Sequence, residues 1–142
     1  EVRERFVRRS KFWQATRDYL NSHGFIEINV PVLEHTTGGA DANPFVTHMD
    51  ALGDQQFYLR ISHELPLKRL IGAGFEKVYD LGPRFRNENY SDEHLPEHIA
   101  MECTRLTGTG NRECVSWSRC IKTCFRRLLV LCNSNWASST LI

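Results

Sequence analysis

The chain has 142 residues, 18 Lys+Arg against 17 Asp+Glu, and a net charge of +1. That length suits one domain burying about two-thirds of its unfolded surface, and the balanced charge gives no bulk argument for nucleic-acid binding. No apolar run approaches the roughly 20 residues that a membrane span needs, and residues 1–20 are too charged for a signal peptide.

Residues 3–22 read as an amphipathic helix. Phe6, Trp13 and Leu20 recur every seven positions with Phe12, Thr16 and Tyr19 beside them, while Arg8, Arg9, Lys11, Arg17 and Asp18 face water. Gly24 is a C-terminal stop. FIEINVP (25–31) alternates, with Ile26, Ile28 and Val30 on one side and Glu27 and Asn29 on the other, as in a half-buried strand closed by Pro31. TTGGADANPF (36–45) is a loop whose paired glycines permit positive φ or close approach to a ligand. QFYLRI (56–61) is a strand; Ser62 caps a helix through SHELPLKRLIGAG, with Glu64 in its first turn and Gly72 or Gly74 at its end. Pro66 fits the first turn, where backbone N–H groups lack partners anyway. KVYDLG (77–82) is a further strand. Strands without long intervening helices predict an antiparallel sheet with helices on one side.

RFRNENYSDEHLPEHIAMEC (84–103) gathers Arg86, Glu88, Glu93, His94, Glu97, His98 and Glu102. It reads as strand, polar loop and returning strand. Arg86 and Glu88 share a face of an extended chain, and an arginine held on a strand can offer its planar fork to a phosphate or carboxylate. An ordinary salt bridge in a solvated hairpin is the competing reading. Glu97 and Glu102 fall on the returning strand, where carboxylates opposite an arginine suit a site holding a cation beside an anion. His94 and His98 stand at a zinc-ligand spacing for a helix, but Pro96 between them argues against a helix and so against metal.

Residues 10–102 resemble the catalytic core of class II aminoacyl-tRNA synthetases, in the subgroup charging lysine, aspartate and asparagine. RSKFWQATRDYLNSHGFIEINVPVLE is similar to the first class-defining motif, placed at residues 3–34. RFRNEN…HLPEHIAMEC is similar to the second, placed at residues 78–104. GGADANPFVTH, YLRISHELPLKRL, GFEKVYDLG and FRNEN narrow the resemblance to the lysyl enzymes. It implies an α+β fold: an antiparallel sheet flanked by helices, with residues 1–106 holding only part of the catalytic domain.

The implied chemistry is ATP-dependent activation of lysine, followed by transfer to tRNA(Lys). The amino acid's carboxylate attacks the α-phosphate of ATP, releasing pyrophosphate, a reaction governed by positioning and charge neutralisation. By resemblance, Arg86 is the catalytic cation on the α-phosphate and substrate carboxylate. Glu88 lies by the adenine and His94 by the outer phosphates. The Gly39 backbone and Glu64 receive the α-amino group, and Glu102 completes the acidic wall. Such pairing matters because an unpaired buried charge costs several kcal/mol. His98 stands where the family usually carries a Phe that stacks on adenine; imidazole can still stack, a contact of about 1–3 kcal/mol. Pro66 also replaces a usual aromatic. The resemblance further implies a homodimer through the first motif, no membrane, and a cytoplasmic setting, with an organelle as the alternative. Two other functions stay open: a free-standing paralogue that lysylates a protein such as elongation factor P, or a catalytically inactive fragment.

After Glu102 the resemblance stops. The family continues with an aromatic run including a tyrosine that reads the lysine ε-ammonium, and Thr104 takes that place. The last motif with its second phosphate-binding arginine, the acidic residues that hold Mg2+ and the anticodon-binding barrel are not among these 142 residues. The chain starts at Glu1, as expected of a piece of a longer polypeptide, and little lysine-dependent pyrophosphate exchange is expected of it alone. Residues 107–142 form an unassigned tail. Residues 1–106 carry 13 basic and 16 acidic groups, residues 107–142 five and one, and all five cysteines lie at or after position 103. One permitted codon choice for Cys103–Gly110, TGT ACT CGG CTT ACG GGG ACT GGC, read two bases later gives Tyr-Ser-Ala-Tyr-Gly-Asp-Trp, close to the family's run. The sequence from about position 103 is therefore expected to be out-of-frame translation. Zinc is the competing reading of Cys114, Cys120, Cys124 and Cys132, but spacings of 5, 3 and 7 residues lack the Cys-x-x-Cys clip. IKTCFRRLLVLC (121–132) could form a short helix.

Overall fold

The computed structural model describes residues 1–88, 94–106 and 112–115. Helix α1 (Val2–Ser22) opens the chain. Its C-terminal half meets the sheet: Thr16 and Leu20 are buried, and Trp13 and Tyr19 pack beside Leu20. The N-terminal half projects away, leaving Val2, Phe6 and Val7 exposed, Phe6 at 67%. The sevenfold stripe therefore reaches the core only from Trp13 onward. Gly24, at φ +77°, reverses the chain, and Phe25 N donates to Leu20 O at 3.0 Å.

Strand β1 (Ile26–Glu27) is shorter than its alternation predicts. It pairs in parallel with β5 (Lys77–Phe85), Ile26 facing Val78, and a further bond runs from Ile28 N to Tyr79 O at 2.9 Å. Ile28 and Val30 face the core as expected, while Ile26 is exposed. Glu27 takes Arg17 at 3.0 Å and the Tyr79 hydroxyl at 3.1 Å. Strands β2 (Leu33–Glu34), β3 (Val46–His48) and β4 (Gln56–Leu59) form a small antiparallel sheet in the order β2-β4-β3, with a 3₁₀ turn (Asp50–Leu52) between β3 and β4.

Helix α2 (Glu64–Gly72) follows. Ser62 Oγ accepts from Glu64 N at 3.1 Å, so the expected cap is made from just outside the helix. Pro66 is buried in the first turn. Strand β6 (Glu97–Leu106) returns antiparallel to β5 in a register running from Lys77 opposite Arg105 to Phe85 opposite Glu97. Strand β7 (Arg112–Val115) adds to β6, giving the order β1-β5-β6-β7. The helix expected at 121–132 and the remaining zinc-reading cysteines lie outside the described residues.

Because side chains alternate along β5, the sheet has two covered faces. Tyr79 packs with Leu20, Met101 and Cys103, and Leu81 beside them, on the α1 side. Val78 packs with Leu67 and Ile71 of α2 on the other. The helices thus lie on opposite faces instead of the single side predicted, since β5 is apolar on both faces near its start. The register puts Asp80 opposite Glu102, Gly82 opposite Ala100 and Arg84 opposite His98, all on the α2 face.

Candidate functional site

The floor of the α2 face rests on a buried polar triad. Arg60 is 2% exposed, and its guanidinium is held at two of its nitrogens: Nε donates to Pro83 O at 2.7 Å, and Nη1 to Val30 O at 3.1 Å and Asp80 Oδ2 at 2.6 Å. His63 Nδ1 meets the same Asp80 oxygen at 2.7 Å. Gly82 is required by this triad, since a Cβ there would sit 2.4 Å from Arg60 Nη2. The triad ties the start of α2 to the middle of β5.

Above it, side chains converge on Glu102. Ser62 Oγ donates to its carboxylate, with Oε2 at 3.0 Å and Oε1 at 3.2 Å. Arg84 Nη1 approaches Oε1 at 3.4 Å, while Arg84 Nε donates to His98 Nε2 at 2.6 Å. Burial, then the guanidiniums of Arg84 and Arg86, hold the His98 imidazole below its ordinary 6.5. Burial and the neighbouring Arg86 likewise lower Arg84, against an opposing pull from Glu102. One guanidinium, that of Arg84, therefore lies between the Glu102 carboxylate and a second guanidinium, Arg86.

The glycine loop closes one side. Gly39 takes φ +84°, and a Cβ there would lie 2.9 Å from Glu64 Cβ and 3.1 Å from Ser62 Oγ. Only a residue without a side chain lets the loop seat on the start of α2. Glu64 pairs with Lys68 one turn along. The loop is tied to the far end of β5 as well, Asn87 N donating to Asn43 O at 2.8 Å.

Among the residues predicted from sequence, Gly39, Glu64 and Glu102 come together through Ser62, and His98 joins them through Arg84. Arg86 lies just past β5, its N donating to Pro96 O at 2.9 Å. Its side chain is half-buried, and its Nε is buried without a hydrogen-bond partner among the described residues. Glu88 and His94 are exposed on the connection between β5 and β6, and Glu97 is exposed at the start of β6. Thr104, in the place the resemblance gives to a tyrosine, is fully buried two positions along from Glu102 on the same face. Sequence reading missed Arg84 and gave Ser62 only a capping role. Arg84 shares the parity of Arg86, as His98 shares that of Glu102, but parity alone does not separate a site arginine from a surface one.

Residues 1–132 match the family described as tRNA synthetases class II (D, K and N). The chain belongs to this family. The synthetase chain is 52% identical over 102 residues to a lysine–tRNA ligase of Thermotoga maritima, and equally so to one of Clostridium perfringens. It is 53% identical over 102 residues to a lysine–tRNA ligase of Listeria welshimeri. Each match covers 72% of this chain but 20% of the relative, so the chain spans about one fifth of the length of the curated relatives it matches.

Proposed function

We propose that residues 1–106 supply the amino-acid and ATP floor of a lysine–tRNA ligase. The observation that carries this reading is the meeting of Ser62 and Arg84 on Glu102, with Gly39 and the Glu64 backbone seated on Ser62 and Arg86 beside Arg84. That arrangement offers carboxylates for an ammonium and guanidiniums for a carboxylate or phosphate, the two charges an activated amino acid must present together. Arg86 is the catalytic cation: its buried, unpartnered Nε suits an anion as its missing partner. It steadies the negative charge that builds as the lysine carboxylate attacks the α-phosphorus and pyrophosphate departs. Glu102, Glu64 and the Gly39 backbone hold the α-ammonium, and His98 lies under the adenine. Glu88 and His94, exposed on the connection, serve the adenine and the outer phosphates.

Magnesium enters with ATP and would screen its phosphates. The described residues gather no group of three or more His, Cys, Asp or Glu suited to a metal, so none is assigned a part in holding it. The relatives' name favours tRNA as the acceptor. The exposed Val2, Phe6 and Val7 on α1 support pairing of two copies through the first motif. No helix among the described residues is long and apolar enough to cross a membrane, and the setting we infer is the cytoplasm. The out-of-frame reading of the tail is retained as part of the proposal, and the coding DNA decides it.

Equilibrium dialysis with lysine, aspartate and asparagine in the presence of ATP tests the reading. Lysine is expected to bind at least tenfold more tightly than the other two, and Arg86→Gln to lose ATP. Equal binding of all three, or ATP binding indifferent to Arg86→Gln, overturns it.

A further inference from the structure

We propose that Arg84 is a built-in stand-in for the substrate's α-ammonium: its guanidinium leans on Glu102 in the free chain, and an incoming α-amino acid displaces it. This rests on the reading of Glu102 as an ammonium acceptor. The two contacts of Arg84 are unequal. Its Nε is anchored on His98 Nε2 at 2.6 Å, whereas Nη1 reaches Glu102 at 3.4 Å, near the limit of a hydrogen bond. The Glu102 contact can break while the anchor holds. Nor is it needed to join the strands, whose backbone ladder runs unbroken from Lys77–Arg105 to Phe85–Glu97.

The charges on this face point the same way. Asp80 belongs to Arg60 and Glu64 to Lys68, and Glu102 has Arg84. Arg86 presses against Arg84 and keeps a buried Nε without a partner among the described residues. A zwitterionic amino acid resolves this: its ammonium takes over Glu102, and its carboxylate answers the crowded guanidiniums. No charge is left worse paired than before. Arg84 then sets amino-acid affinity by competition, as a specificity-determining residue that selects for the α-amino group.

Calorimetric binding of lysine, aspartate, asparagine and 6-aminohexanoate to the wild type, Arg84→Gln and Arg84→Lys tests this. The competition predicts that Arg84→Gln binds each α-amino acid about two- to fivefold more tightly, the worth of one partly exposed ion pair. Arg84→Lys keeps a cation but has one nitrogen for two acceptors, so its gain should be smaller than that of Arg84→Gln. The probe 6-aminohexanoate, lysine without its α-amino group, should gain nothing. In nitrogen-labelled wild type, lysine should shift the Arg84 Nη signals and spare Nε. Unchanged or weaker amino-acid binding by Arg84→Gln, an equal gain for 6-aminohexanoate, or unmoved Nη signals overturn the proposal. If the gain appears for all three amino acids without a preference for lysine, the stand-in survives and the lysine-ligase reading fails.

Discussion

Arg84 can donate to His98 Nε2 only while that nitrogen carries no proton. Burial first, then the charge of Arg84, lowers the His98 pKa from 6.5, opposed by a backbone hydrogen bond at Leu95. A depressed histidine stabilises the fold fully above its unfolded pKa, and loses that contribution as pH falls through the folded value. Stability should therefore fall on acidification below about pH 6.5, and fall less in His98→Phe, which has nothing to protonate. A histidine titration by NMR should place His98 below 6.5, and Arg84→Gln should raise it only part-way, since burial is the larger cause. A midpoint at or above 6.5 contradicts this account. The resemblance grouped Glu102, Glu64 and Gly39 from sequence, and the structure sets all three against Ser62. Arg84 was not legible in the sequence, because one arginine near another reads as ordinary surface charge until the register sets it against His98 and Glu102.

The strands and helices owe their relative placement to charge as well as to apolar packing. Asp80 on β5 binds both Arg60, just past β4, and His63, just before α2, all three essentially excluded from water. Asp80→Asn removes the charge and leaves the Arg60 guanidinium buried without its counter-ion, a loss of about 3–5 kcal/mol. Urea denaturation should show a fall of that size; one under about 1 kcal/mol would mean that the triad is incidental to the fold. Short apolar runs revealed β4 and β5, the strand–loop–strand reading of 84–103 revealed β6, and Gly and Ser punctuation revealed α2, while the alternation of FIEINVP pointed to β1. That alternation overran β1, since only Ile26 and Glu27 find a ladder on β5, and Arg60, His63 and Asp80 carry no local sign that three separate segments meet.

At the scale of the whole molecule, α1 and α2 sandwich the β5–β6 pair, and the α2 face is left as a floor where the glycine loop, Ser62 and the two arginines meet. Val2, Phe6 and Val7 lie exposed on the part of α1 that projects beyond the sheet, which periodicity alone could not separate from the core stripe. The central claim is that this floor takes the α-ammonium at Glu102 and the phosphate at Arg86. A crystal structure with a non-hydrolysable lysyl-adenylate analogue tests it most directly. The account predicts the α-ammonium about 3 Å from Glu102 and the phosphate mimic within hydrogen-bonding distance of Arg86. An analogue bound elsewhere, with Arg86 turned to solvent and Glu102 still on Arg84, would contradict it.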